Sequence, residues 1–197
     1  TVAWDSRPES EGGQRWFSLY PGQRFMPQDA LHWTGRYQNW NAMCADCHSS
    51  GLQKQYDITE DSFATTWQEQ SVGCQGCHGP GQQHVQWARN VASGKAPPGE
   101  VANYGLPVDF ASLGKDGLIE QCAYCHSRRQ GLGTGQQPGH PQLDTTLPVT
   151  LRADLYHADG QVDGEVYVFG SFMQSKMHAA GVTCSDCHNV HSLATIA

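Results

Sequence analysis

The 197-residue chain is short of the side chains that ordinarily build a protein interior. Leu, Ile, Val and Phe together number 33, about 17% of the residues, under the 20% below which a strongly charged chain reads as disordered. Yet only 16% of the residues are charged, and six Trp, seven Tyr and six Phe are present, which does not suit a solvated coil. The composition implies a folded chain without the usual aliphatic core. Basic residues are also scarce: 12 Lys and Arg face 19 Asp and Glu, for a formal charge of −7, which excludes nucleic acid as the main partner. No run approaches the ~18 apolar residues of a membrane helix, so no membrane span is expected. No basic segment leads into an apolar one as in a signal peptide. The sequence begins at Thr1 and reads as a processed mature chain or an excised segment.

What the chain does have is cysteine, all of it in one pattern. Cys44-Ala-Asp-Cys47-His48, Cys74-Gln-Gly-Cys77-His78, Cys122-Ala-Tyr-Cys125-His126 and Cys184-Ser-Asp-Cys187-His188 are four CxxCH motifs that use all eight cysteines. At this composition chance gives about 0.02 such motifs. CxxCH is the attachment signature of c-type haem: two thiols bond the haem vinyl groups as thioethers, and the adjacent His supplies a neutral imidazole to the iron. A zinc site leaves the recurring His unexplained. A disulfide scaffold does not favour paired CxxC each followed by His, and thioredoxin-like chemistry needs one motif on a βαβ unit. The expected cofactor is therefore heme c, four copies, covalently attached, with His48, His78, His126 and His188 as proximal ligands.

Six further histidines are available as distal ligands. His178 precedes Cys184 by six residues, an offset that clears its own haem and directs the ring at a neighbour. His191 follows His188 by three and lies on the wrong side to bind the same iron. His84 closes CHGPGQQH, where Gly79-Pro80-Gly81 must turn the chain. His157 and His32 complete the set of expected ligands, whereas His140, between Gly139 and Pro141, reads as an ordinary loop histidine. Met26, Met43, Met173 and Met177 read as apolar packing.

The motif starts are separated by 30, 48 and 62 residues, so no fixed repeat exists. Helices are expected over Asp61–Glu69, with Phe63 and Trp67 on one face, over Lys115–His126, and over Ser171–His178. Arg15–Tyr20 reads as a strand, and Glu165–Phe169, after two Asp-Gly turns, as part of a small β-hairpin. Val91–Leu113 and Gly131–Pro148 read as long loops wrapping haem surfaces.

The segments LHWTGRYQNWNAMCADCHSSGLQKQYD, VGCQGCHGPGQQHVQWA, CAYCHSRR and DGEVYVFGSFMQSKMHAAGVTCSDCHNVHS resemble one large group of bacterial multihaem c-type cytochromes. That group includes the tetrahaem electron carrier of ammonia oxidation and multihaem cytochromes fused to tetratricopeptide repeats. The resemblance implies a mainly α fold with long loops packed around four haems, export from the cytoplasm, and electron transfer. It also implies distal roles for His84, His178 and His191. Fused relatives usually carry further CxxCH motifs on either side of this region, so residues 1–197 read as one tetrahaem domain, in reduced form or as a piece of a longer protein.

The leading functional expectation is an electron carrier, not an enzyme, working with redox partner proteins in the periplasm, at the cell surface or outside the cell. One version is a subunit of a conducting extracellular filament, self-assembled through a histidine that ligates a haem of the next copy. The alternative is a multihaem oxidoreductase acting on nitrogen or sulfur oxyanions, or on hydroxylamine-like substrates, at an iron with an open position. Arg128 and Arg129, beside His126, are expected to pair with a haem propionate or an anion. A third class is an assembly subunit of a larger respiratory complex.

Overall fold

The computed structural model describes residues 2–95, 101–133 and 135–196. The chain divides into two compact units, Thr1–Asp46 and Cys47–Ala197.

The first unit opens with an antiparallel hairpin of β1 (Val2–Asp5) and β2 (Arg15–Ser18). Trp4 lies opposite Trp16, the ring centroids 5.3 Å apart in an edge-to-face arrangement. Such cross-strand aromatic pairs are the unit of hairpin stability. The connection is closed by the Arg7 guanidinium on both carboxylate oxygens of Asp5 and by Gly12 at φ +78°. Successive turns then lead to a π-helical turn, Trp40–Cys44, capped by the Asn39 side chain, which accepts from the Ala42 amide. The expected strand at Arg15–Tyr20 is present, ending at Ser18.

From this turn the chain enters α1 (Ala45–His48). The second unit continues with a two-residue ladder of β3 (Tyr56–Asp57) and β4 (Ser62–Phe63). The short helix α2 (Gln75–His78) and the longer α3 (Gln82–Ala92) follow. Next come α4 (Gly114–His126) and a ladder of β5 (Arg129–Gly131) with β6 (Thr146–Pro148). The chain ends with α5 (Phe169–Met173), α6 (Lys176–Ala179) and the ladder of β7 (His188–Asn189) with β8 (Ala194–Thr195). The longest helix, α4, covers the expected Lys115–His126 and buries Ile119, Gln121, Ala123 and Tyr124. Amide side chains pin the following loop to it: Gln121 Oε1 accepts from the Gly139 amide at 2.9 Å, and Gln142 Nε2 donates to the Ser127 hydroxyl at 2.9 Å.

Four expectations are corrected. The fold is mixed rather than mainly α, since short helices alternate with four two-stranded ladders. Asp61–Glu69 is not a helix: Asp61 takes φ +46° at a tight turn, Ser62–Phe63 pairs with Tyr56–Asp57, and Thr66 and Glu69 bridge to Gln53 and Ser50. The adjacent β-branched Thr65 and Thr66 favour that extended backbone. Ser171–His178 is broken between α5 and α6, because Ser175 adopts extended dihedrals and accepts the His178 amide as an N-cap. Around the Asp-Gly turns, Tyr156 bridges Val162 and Tyr167 bridges Ser127, without a ladder over 165–169. Of the two expected long loops, residues 96–100 and Thr134 lie outside the described residues. The rest of the first loop includes the end of α3 and a 3-10 turn at Ala102–Gly105, and the second, expected over Gly131–Pro148, holds a 3-10 turn at Gln142–Asp144 and strand β6.

Among the described residues nine apolar side chains are buried: Ala45, Leu52, Val108, Ile119, Ala123, Tyr124, Leu155, Tyr156 and Val166. Trp4, Trp16, Trp33 and Trp67 are all exposed. Many large apolar side chains among the described residues lie open, Trp33, Ile58 and Leu193 at 70%, 85% and 90% exposure. The protein alone therefore leaves uncovered much apolar surface that a cofactor with broad apolar faces can cover. No helix among the described residues is long and apolar enough to cross a membrane.

Candidate haem-binding site

Each motif needs two thiols on one face and an imidazole just beyond them, which one helical turn supplies, since residues three apart are neighbours. Three motifs lie on or run into short helices: Ala45–His48, Gln75–His78 and the C-terminal end of α4. The fourth is a 3-10 turn, Cys184–Asp186, with a capping box between Thr183 and Asp186; its His188 already belongs to β7.

The motifs converge through their sulfurs. Cys125 of motif 3 is hydrogen-bonded to Cys47 of motif 1, and this contact, followed by burial, pushes its thiol pKa up. Cys122, also of motif 3, is hydrogen-bonded to Cys184 of motif 4; the contact raises Cys122 and lowers Cys184 to about 7. Cys77 of motif 2 acts electrostatically on both Cys122 and Cys125. Motif 3, on the longest helix, is thus the hub. These thiols stand in for thioether sulfurs, which do not titrate once haem is attached.

Motif 2 gathers the histidines. The His78 and His191 rings have centroids 6.1 Å apart and planes 5° from parallel. Two imidazoles on opposite sides of one metal, each about 2 Å from it, hold their ring centres roughly 6 Å apart. His191 reaches this position from the turn between β7 and β8, where the Asn189 side chain accepts the amides of His191 and Ser192. Phe110 lies edge-on to His78 at 5.0 Å. Burial first, then His191 and His84, lower the His78 pKa, which keeps the ring in the neutral form that binds metals.

His84 sits in the first turn of α3, which starts after Gly79 (φ +73°) reverses the chain. Its Nδ1 donates to the Tyr104 carbonyl at 2.9 Å, which fixes the tautomer and leaves Nε2 as the free lone pair, the usual support of a metal-bound imidazole. Trp87 stacks on His84 at 5.7 Å and contacts Tyr104 at 5.0 Å. The carbonyl is delivered by two consecutive left-handed residues, Asn103 (φ +47°) and Tyr104 (φ +56°), and then by Gly105. A Cβ at Gly105 would stand 2.8 Å from the Gln83 carbonyl carbon and the His84 nitrogen.

His178 packs against Phe172 at 5.7 Å, and its Nε2 is buried with no hydrogen-bond partner. An orphaned buried nitrogen is costly for a free imidazole and expected of a ligand. The other expected ligands are engaged differently: His32 Nδ1 accepts the Thr34 amide at 3.3 Å and meets its hydroxyl at 2.8 Å, which puts the ring proton on Nε2, and His157 Nε2 faces Asp163 at 3.5 Å. His140 faces Asp144 at 3.8 Å, as suits a loop histidine. His48, His126 and His188 are exposed. Among the described residues no three His, Cys, Asp or Glu side chains converge as a bare metal ion needs; the arrangement is instead of separated thiol pairs with rings nearby. The residues thus fit haem: thiol pairs with an adjacent imidazole, a parallel pair of imidazoles 6.1 Å apart, an orphaned ring nitrogen and abundant uncovered apolar surface.

The Tyr104 carbonyl and Gly105 were missed in the sequence, which gives no local signal for a backbone support 20 residues from its histidine. Arg129 was placed beside His126, but its guanidinium contacts Cys47 Sγ at 3.4 Å.

Residues 21–79 match the family model of cytochrome c554 and c-prime, a stretch that holds motifs 1 and 2 and His32. No curated protein matches the chain, and no solved structure does. The match supports a c-type cytochrome with covalently bound haem and a role in electron transport.

Proposed function

We propose that the chain is a tetrahaem electron carrier, with heme c on Cys44/Cys47, Cys74/Cys77, Cys122/Cys125 and Cys184/Cys187. Bound haem supplies a one-electron couple at each iron and no substrate chemistry. The chain's own residues hold the irons in order and set their environment. His78 and His191 would hold one iron between them, and the approach of their rings is the observation that carries the reading. His191 also ties motif 4, three residues before it, to motif 2. The sulfur contacts support neighbouring haems on motifs 1 and 3 and on motifs 3 and 4. His84 and His178 serve as further distal ligands. Thioether attachment takes place on exported chains, so the protein belongs in the periplasm or outside the cell.

The engagement of His32 with Thr34 and of His157 with Asp163 favours a second form of the same reading. Three well-placed distal histidines face four motifs, and a histidine from another copy completes the set in an extracellular filament. Expression in a haem-attaching host tests the main reading. The expected result is a mass four haems above the polypeptide and a low-spin oxidised spectrum unchanged by cyanide. Fewer haems, or a large high-spin fraction that binds cyanide, overturns the tetrahaem carrier in favour of an open iron. Electron microscopy at high concentration tests the filament, and monomers alone overturn it.

A further inference from the structure

Arg128 and Arg129 follow motif 3 after Ser127, and extended backbone sends them to opposite sides. Ser127 already takes φ −121° and ψ 149°, and Arg129 opens β5 opposite Pro148. Arg128 is exposed and donates Nη1 to the Glu165 carbonyl at 3.0 Å. Arg129 turns the other way. Its Nη2 lies 3.4 Å from Cys47 Sγ, its guanidinium carbon lies 4.7 Å from the centre of the Tyr124 ring, and its Nε is buried. The same charge acts on Cys125. A permanent cation therefore stands at the Cys47 sulfur, with the Tyr124 ring against it.

We infer that Arg129 is a potential-setting residue: its guanidinium, hydrogen-bonded to the Cys47 sulfur, raises the reduction potential of the haem on motif 1. The inference rests on the proposed attachment of haem to Cys44 and Cys47. The Cys47 thiol stands in for a thioether sulfur, which remains a weak acceptor. Reduction adds one electron to the ferric iron, breaks no bond, and lowers the net charge of the haem by one. A fixed positive charge nearby stabilises the reduced form, and hydrogen bonds and local charge at the attachment point are among the levers a protein has on an iron centre. Arginine stays protonated under all working conditions. Partial burial weakens screening by salt, and the Tyr124 ring seats the guanidinium as a cation–π partner.

The test is a spectroelectrochemical titration of the haem-loaded protein and its Arg129→Gln, Arg129→Lys and Arg128→Gln variants. With four haems still attached, Arg129→Gln is expected to lower one of the four one-electron steps by about tenfold in its equilibrium constant, about 59 mV, leaving the others in place. Arg129→Lys keeps that step near its original position, and Arg128→Gln leaves that same step in place. If Arg129→Gln does not accumulate, Tyr124→Leu, which removes the seat of the guanidinium, is expected to lower the same step by a smaller amount. No shift in Arg129→Gln, an equal shift in Arg128→Gln, or an unchanged or raised step in Tyr124→Leu overturns the inference. A chain that attaches no haem instead overturns the proposed function, so the two failures are distinct.

Discussion

His191, three residues beyond the last motif, faces His78 of the second motif across 6.1 Å with ring planes 5° apart. Two segments more than a hundred residues apart in the chain thereby bring their imidazoles together.

If this pair is axial, replacing His191 with Ala leaves one haem with a single protein ligand. One quarter of the oxidised haem is expected to become high-spin and to bind cyanide, while the other three stay low-spin. Electron paramagnetic resonance reads the fraction directly. An entirely low-spin His191→Ala protein would show that another group holds that position.

Gly105 is held at φ +81° with its α-carbon against the first turn of α3. Gly105→Ala meets both a left-handed backbone and a backbone contact at 2.8 Å, so destabilisation of more than about 1 kcal/mol is expected. It should also disturb the Tyr104–His84 support. A lower melting temperature together with a change in haem spin state checks both effects, and an unchanged spin state would separate His84 from the iron.

Thioether attachment is expected to decide folding as well as function. Replacing the two cysteines of motif 3, Cys122→Ala with Cys125→Ala, removes the hub that contacts motifs 1 and 4. The product should retain less helix by circular dichroism and be cleaved faster by protease than a protein lacking the cysteines of motif 2. Equal sensitivity of the two variants would count against motif 3 as the hub.

The amino-terminal hairpin has its own pH signature. Hydrogen bonds from the Arg7 side chain, then from its amide, lower the Asp5 pKa from 3.8 to about 2. A depressed carboxylate stabilises the folded form above its unfolded pKa and loses that contribution as pH falls through its folded one. The β1–β2 pairing should therefore hold at pH 5 and weaken between pH 4 and about 2. Indole resonances of Trp4 and Trp16 in the reduced protein report it. Asp5→Asn should remove the pH dependence in that window.

The chemistry was far more legible in the sequence than the fold. CxxCH is a local pattern whose meaning does not depend on the backbone around it, so a c-type cytochrome was legible from the motifs themselves. α4 was legible because Leu118, Ile119 and Cys122 repeat at helical spacing. α3 went unread: it follows Gly79-Pro80-Gly81, and Gln82-Gln83-His84 disguised a helix start. The false helix at Asp61–Glu69 arose because Phe63 and Trp67 satisfy an i, i+4 pattern, whereas the β-branched pair between them and the pairing with Tyr56–Asp57 decided the backbone. Neither the His78–His191 pairing nor the approach of Arg129 to Cys47 leaves any mark at short range. Both depend on contacts between segments that the sequence keeps far apart.

With nine buried apolar residues among those described, this polypeptide carries its quality control in its cofactor count. On the proposed four-haem reading every attachment must succeed, so the yield of mature protein would vary as the fourth power of the yield per site. Halving the success of each attachment would cut the product about sixteenfold, and a three-haem chain would leave an apolar face uncovered. Abundance of the finished protein would then be a steep gauge of haem supply.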